Sequence, residues 1–419
     1  MTLLKTIKAS DFQPDAAPRP LDEATLSAAD SIVSGVREGG REALIEYAKK
    51  FDGHVDGQPL LIERDALVAA KARLDDDDLA LLERVADRVR KFAQAQLDAL
   101  SELEIDVPGG KAGHSIVPVQ RAGCYAPAGR YALPSTVIMT VVPAVVAGCG
   151  QVVLATPGTS DLMLAAAAVA GADRVLAVGG AQAVAAMAYG FDGLERCDVI
   201  VGPGNRWVTA AKKIVSGDCG IDMLAGPSEL VLVGDESSDP VTVAADLLAQ
   251  AEHDEDARAF LVTTDRDLIQ KVVAELEQQL EVLPTAETAR VALGNGAAVL
   301  CDSVEQVIAT CNALAPEHLE LHCDNSQAVA NEIVNAGCLF IGHQSAEVFG
   351  DYGVGPNHTL PTAGTARFSA GLNVFTFVRV RTWLKLDAAP QSLVDDTARL
   401  AELEGLVAHQ RSALKRKKS

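Results

Sequence analysis

Apolar positions along the first hundred residues recur at helical spacing. "LDEATLSAADSIVSGVREGGREALIEYAKKF" and "DDDDLALLERVADRVRKFAQAQLDAL" both show it, the first interrupted at Gly39 and Gly40, the second opened by acids that suit a helix N-terminus. Both read as covering helices. From about residue 115 the texture changes to short β-branched runs, "QVVLATP", "RVLAVGG", "CDVIVGPGN" and "ELVLVGD", separated by the helical stretches "DLMLAAAAVAGA" and "AQAVAAMAYGF". After residue 240 the rhythm returns: helix "PVTVAADLLAQAEH", strand "AFLVTT", helix "LIQKVVAELEQQL", strand "AAVLCD", helix "SVEQVIATCNAL", strand "LELHC", helix "AVANEIVNAG", strand "CLFIG". Two α/β units with mainly parallel, doubly wound sheets follow from this alternation. Beyond residue 345 the chain turns Gly/Pro-rich and ends in one more helix, "VDDTARLAELEGLVAHQRSALKRK", of the kind that docks elsewhere, including on a neighbouring subunit.

One segment needs a check against a membrane span, because no charged residue occurs between Arg130 and Asp161. Pro134, Pro143, Gly148, Gly150 and Pro157 break it, so a buried helix followed by a buried strand fits better. The chain has 419 residues, enough for two or three domains. Its net charge of −21 repels a phosphate backbone, which argues against a nucleic-acid partner. The basic tail "KRKKS" reads as a helix end whose cations oppose the dipole. Eight cysteines without a C-x-x-C pair, and a start, "MTLLKTIKASDF", without an apolar core, predict a cytoplasmic chain with reduced thiols and no thiolate zinc site.

Ligands in open α/β sheets lie beyond the carboxyl ends of strands, and three turns meet that description. "VIVGPGNRWVTAAKK" is a strand, a glycine turn and a helix whose first N–H groups can face an anion, although Trp207 stands where the dinucleotide fingerprint has its third glycine. "AVGGAQAVAAMAYG" repeats the form with Gln182 just inside its helix, and "RAGCYAPAGRYALPSTVIM" sets Tyr125 and a Gly/Pro loop ahead of a buried helix. Among the histidines, His54, His114, His322 and His343 read as surface or locally bonded residues. The other four have company: Gln250 with His253, Glu317 next to His318, Asp351 upstream of His358, and Glu404 before His409. A single such pair is usually just an ion pair. Four in one acidic chain point towards a zinc-type ion, which accepts imidazole nitrogen with carboxylate or amide oxygen, and towards general-base chemistry at "PEHLELH".

With these residues in view, the chain resembles the histidinol dehydrogenase family nearly end to end, through "GCYAPAGRYALPSTVIMTVVPAVVAG", "GGAQAVAAMAYG", "VGPGNRWVTAAK", "LAGPSEL", "LLAQAEHD", "APEHLEL", "GDYGVGPNHTLPT", "ARFSAGL" and "EGLVAH". The resemblance implies oxidation of L-histidinol to L-histidine through the aldehyde, the last steps of histidine biosynthesis, with NAD and one zinc per site. It implies zinc ligands at Gln250, His253, Asp351 and His409, the last from the partner of a homodimer with shared sites. One helical turn then explains the spacing of Gln250 and His253. His318 becomes the general base and Glu317 the activator of water. Ser228, His358 and Glu404 join the zinc ligands and His318 as contacts of an amino-alcohol substrate, while Tyr125, Gln182 and Asn205 hold NAD.

The expected organisation is a 1–20 N-terminal arm; a first Rossmann-like domain from 21–120 and 230–371, carrying zinc and catalytic residues; an inserted NAD-binding domain, 121–229; and a 372–419 dimerisation tail. Departures from the family pattern after "ARFSAGL" and around Arg130 keep one alternative in play, a zinc-dependent dehydrogenase of another small polar alcohol, such as a sulfonated propanediol; the alternative of another class is a non-catalytic metal-dependent binding protein, whose mark would be loss of the pair at 317 and 318, which this chain retains.

Overall fold

The computed structural model describes residues 3–14, 21–128 and 132–416. In chain order, β1 (Lys5–Lys8) precedes α1 (Glu23–Phe51), β2 (Leu61–Glu63), α2 (Arg64–Lys71) and α3 (Asp76–Asp98), and an antiparallel pair follows, β3 (Leu103–Val107) and β4 (Gly110–Pro118). One α/β unit then runs β5 (Arg121–Tyr125), α4 (Pro134–Val146), β6 (Gln151–Ala155), α5 (Asp161–Ala170), β7 (Arg174–Leu176), α6 (Gly180–Tyr189), β8 (Val199–Val201), α7 (Arg206–Val215) and β9 (Gly220–Ile221). The other runs β10 (Glu229–Gly234), α8 (Pro240–Ala251), β11 (Arg258–Thr263), α9 (Arg266–Leu280), α10 (Ala286–Leu293), β12 (Ala297–Leu300), α11 (Val304–Leu314), β13 (His318–His322), α12 (Ser326–Glu332), β14 (Cys338–Ile341) and α13 (Glu347–Asp351). β15 (Val378–Leu386), α14 (Gln391–Leu403) and α15 (Val407–Leu414) complete the chain.

The two units form two six-stranded sheets, ordered β2-β7-β6-β5-β8-β9 and β1-β12-β11-β10-β13-β14. Every neighbouring pair is parallel except β2 with β7. Every residue of β10 and of β13 is buried, as a strand covered by helices on both faces requires. Each sheet accordingly carries two apolar clusters, one per face. The segment between Arg130 and Asp161 is the buried helix α4 followed by β6, and among the described residues no helix is long and apolar enough to cross a membrane.

Three expectations need correction. The helices of the 21–120 segment do not join the sheet of 230–371: α1 packs on α6 and α7, α2 on α5, and α3 on α4, while β2 extends the other sheet. Their apolar stripes, such as Thr25, Ala29, Val33 and Val36 of α1, fit either sheet, and periodicity alone does not choose. Within the expected 1–20 arm, Lys5–Lys8 is an edge strand, with Lys5 opposite Ala297, and residues 1–2 and 15–20 lie outside the described residues. The tail is not purely helical, because β15 pairs antiparallel with β4 along its whole length, Val378 opposite Pro118 through Leu386 opposite Gly110. The alternation in "VRVRTWLKL" is the signature of that strand. The terminal helix is two helices, broken at Gly405, whose φ of 73° favours glycine.

Candidate active site

β10 and β13 are adjacent, with Leu230 opposite His318. That register brings the residues just before each strand together. Glu317 Oε2 accepts hydrogen bonds from Ser228 Oγ at 2.7 Å and from the Glu229 backbone N–H at 3.0 Å. Ser228 Oγ also lies 3.4 Å from Gln250 Oε1. Gln250 is there because α8 leaves the carboxyl end of β10 and runs back along the sheet, so its last turn arrives at the strands' amino ends. This group therefore sits at the amino ends of β10 and β13, opposite to the side anticipated for an open sheet.

The turn after α8 places His253, whose Nδ1 lies 3.2 Å from the Gln250 carbonyl oxygen and whose Nε2 faces Asp351 Oδ2 at 3.5 Å. Asp351 lies not in an irregular loop but at the end of the short helix α13, which packs on α8. Its Oδ1 is 3.9 Å from His318 Nε2, and its backbone oxygen is 3.1 Å from His358 Nδ1. Gln250, His253, Asp351, Glu317, His318, Ser228 and His358 thus form one continuous group. Glu404 and His409 do not join it: both are exposed on α14–α15, and neither side chain bonds to the group among the described residues.

Burial governs the protonation of this group. It pushes the Glu317 carboxyl up to about 8, against its hydrogen bonds from Ser228 and Glu229, and pushes His318 down to about 4. Asp351 is also raised by burial, but the bond from His253 and the charges of His358 and His318 outweigh this and leave it lowered. His253 is correspondingly raised, chiefly by Asp351. The sequence reading missed Glu347, which is buried with neither carboxylate oxygen hydrogen-bonded and lies 3.5 Å from His318 Nδ1. Its signal was the i, i+4 spacing from Asp351 on α13.

The donor set suits a borderline cation. One ligand atom from each of His253, Glu347 and Asp351 falls within 4.8 Å of the others. Gln250 Nε2, His358 Nε2 and both ring nitrogens of His318 are buried without hydrogen-bond partners, a cost that a bound ion and ligand would relieve. A half-turn of the Gln250 amide exchanges its nitrogen and oxygen without changing shape.

Tyr125, Gln182 and Asn205 meet elsewhere, around a cavity of about 620 Å³ at the carboxyl ends of β5, β7 and β8. Tyr125 Oη accepts from the Gly180 N–H at 3.1 Å, Gln182 Nε2 donates to Asp52 Oδ2 at 3.0 Å, and Asn205 Oδ1 caps α7 through the N–H of Trp207 at 3.0 Å. Asp52 is a lining residue that sequence reading overlooked, being only the residue that ends α1. A second cavity of about 690 Å³ shares Asn205 with the first and reaches Ser228. Ser228 in turn hydrogen-bonds Glu317.

A buried ion pair, Lys212 with Asp222, holds the turn that presents Asn205. Lys212 Nζ donates to the Gly202 carbonyl at 3.0 Å and Asp222 Oδ2 accepts from the Gly202 N–H at 2.7 Å. Lys212→Met leaves an unpaired buried carboxylate and is expected to cost about 3–5 kcal/mol, measured by urea unfolding.

The histidinol dehydrogenase family profile matches residues 18–417. The chain is 44% identical to histidinol dehydrogenase of Geobacter sulfurreducens over 391 residues, covering 91% of this chain and 90% of that one. The chain belongs to the histidinol dehydrogenase family. Histidinol dehydrogenase of Aromatoleum aromaticum is 43% identical over 396 residues, with 92% and 90% covered. The crystal structure of histidinol dehydrogenase from Elizabethkingia anophelis superposes with a TM-score of 0.91 at 33% identity, over 99% of this chain and 98% of that one. As a member of the histidinol dehydrogenase family the protein is an oxidoreductase, and its α/β architecture of mainly parallel sheets is the family's own.

Proposed function

We propose that this protein oxidises L-histidinol to L-histidine through the aldehyde, using NAD and one zinc ion at the group built on Gln250, His253 and Asp351. The observation that carries the proposal is the buried Glu317–His318 pair, set between Ser228 and Asp351 at the mouth of β13. When bound, zinc supplies a fixed charge that orients the substrate's nitrogens, and NAD supplies the hydride acceptor. His318, neutral because it is buried, takes the alcohol proton. Glu317, as the carboxylate, takes a proton from the water that hydrates the aldehyde, and His318 then serves the hydrate as it served the alcohol. Ser228 and His358 contact the substrate from the same chain. Tyr125, Gln182 and Asn205 hold the nicotinamide cofactor, and the Asp52 carboxylate matches ribose hydroxyls while repelling a 2′-phosphate, which favours NAD over NADP.

Glu404 and His409 are assigned to the partner's site in a homodimer. Their exposure supports this, as do the exposed apolar side chains Leu400, Leu403, Leu406 and Val407 around them. The eight cysteines, all free, fit a reducing cytoplasm. The test is stoichiometric: about two NADH should form per histidinol consumed, as expected for a four-electron oxidation. One NADH with accumulating aldehyde removes the second step. NADH formed only with a sulfonated propanediol removes the substrate.

The acid limb of the pH profile belongs to Glu317 rather than His318. Since burial raises the Glu317 carboxyl to about 8, it is protonated at neutrality and gains the ability to accept water's proton as pH rises. His318 is deprotonated throughout that range. With aldehyde as substrate, kcat/KM is expected to rise roughly tenfold per pH unit below the midpoint and level off above about 8. A midpoint at 6.5, the value of an ordinary histidine, contradicts the assignment.

A further inference from the structure

The polar row that begins at His318 continues along its strand. Alternate positions of a strand share a face, so His318, Glu320 and His322 stand in line, and all three are buried. Helix α8 keeps the same company, with Asp246 one turn before Gln250. His318 and Gln250 belong to the active site, whereas Asp246, Glu320 and His322 have no part in it. They meet one another: His322 Nε2 is 3.6 Å from Glu320 Oε2 and 3.7 Å from Asp246 Oδ2. All three atoms are buried without a hydrogen-bond partner. One ligand atom from each residue lies within 4.8 Å of the others.

One of the remaining carboxylate oxygens is already committed. Glu320 Oε1 accepts from the Glu347 backbone N–H at 2.6 Å, which fixes the carboxylate and leaves Oε2 turned to the cluster. His322 Nε2 faces the two carboxylate oxygens without a hydrogen bond to either. Separations of 3.6 and 3.7 Å are too long for direct hydrogen bonds. Ligand atoms roughly 2.0–2.2 Å from a tetrahedral ion stand about 3.3–3.6 Å from each other, close to the spacing observed.

We propose that Asp246, Glu320 and His322 form a second divalent-cation site, separate from the active-site ion. One imidazole and two carboxylates suit a first-row transition ion such as zinc or manganese. Asp246, whose side chain is 12% exposed while those of His322 and Glu320 are 2% and 0%, faces the solvent side by which the ion enters. The role is structural. The ion ties α8 to β13 and, through the bond from Glu347 to Glu320, to the first residue of α13, whose last residue is Asp351. Burial raises the carboxyl groups of Glu320 and Asp246, to about 8 and about 6, the direction expected of acids that lack a counter-charge.

Metal analysis of the full-length protein, saturated with zinc and then gel-filtered, tests this; manganese serves as the second probe. Two ions per chain are expected in the unaltered protein. Asp246→Asn, at the least buried of the three positions, and His322→Gln should each leave one, and His253→Ala should leave the other one. In the His253→Ala background, zinc should still raise the melting temperature, and adding Asp246→Asn should weaken that apparent affinity at least tenfold. One ion that Asp246→Asn removes and His253→Ala retains supports this site and overturns the active-site zinc instead. One ion with either probe that only His253→Ala removes, or two ions retained by Asp246→Asn/His322→Gln, overturns the proposal.

Discussion

His318→Asn is expected to lower the turnover number by about 10²–10⁴-fold, the range that loss of a positioned general base produces, with zinc content unchanged. The size follows from position. His318 is the first residue of β13, held between β10 and β14 by the strand register, and its ring stands between Glu317, Glu347 and Asp351. Of the acids around it, Glu317 and Glu347 do not substitute for it at neutrality, because burial holds both towards the protonated form, and Asp351 is paired with His253. Asparagine keeps much of the shape and some hydrogen bonding but cannot carry the proton away. Zinc analysis alongside steady-state kinetics separates the roles. Loss of the ion with the activity makes His318 a ligand, and near-normal turnover removes it as the base.

The second large effect is restoration rather than loss. His409→Ala and His318→Asn homodimers should each be nearly inactive, yet a mixture allowed to exchange subunits should recover about a quarter of normal activity. Random exchange makes about half of the dimers mixed, and each mixed dimer has one site with an intact His318 and a partner's intact His409. The other site carries both defects. The observation behind this is the exposure of His409 and Glu404 on a hairpin with an apolar surface, away from the group they are proposed to complete. Activity of the exchanged mixture no higher than that of the two variants apart removes the shared-site assignment.

The residues of the candidate site were legible in different degrees. Gln250 and His253 are close in sequence, although α8 ends at Ala251 and the turn after it, not one helical face, brings them together, and Glu317 and His318 are adjacent. The bond between Ser228 and Glu317 spans 89 residues and exists only because β10 and β13 are adjacent in one register. His322 illustrates the opposite error. As a polar residue at the end of "LELH" it reads as a surface histidine, but it is 2% exposed because helices cover that face of the sheet. Glu347 was missed for the same reason: its isolation from water is a property of what packs on α13, not of "SAEVFGDYG".

Local pattern was enough for the alternation of strands and helices, the buried α4 segment and the residue types of the candidate site, because periodicity and turn chemistry act over a few residues. Sheet membership was not available in that way. An amphipathic helix such as α1 presents the same apolar stripe to any sheet, and only strand order and the length of the connections decide which one receives it. The same holds for the amino-end location of Glu317 and His318, the pairing of β15 with β4, and the meeting of Asp246 with His322. Each joins residues far apart along the chain, and such contacts are selected by global packing, in which the whole chain must bury its apolar faces and satisfy its backbone at once.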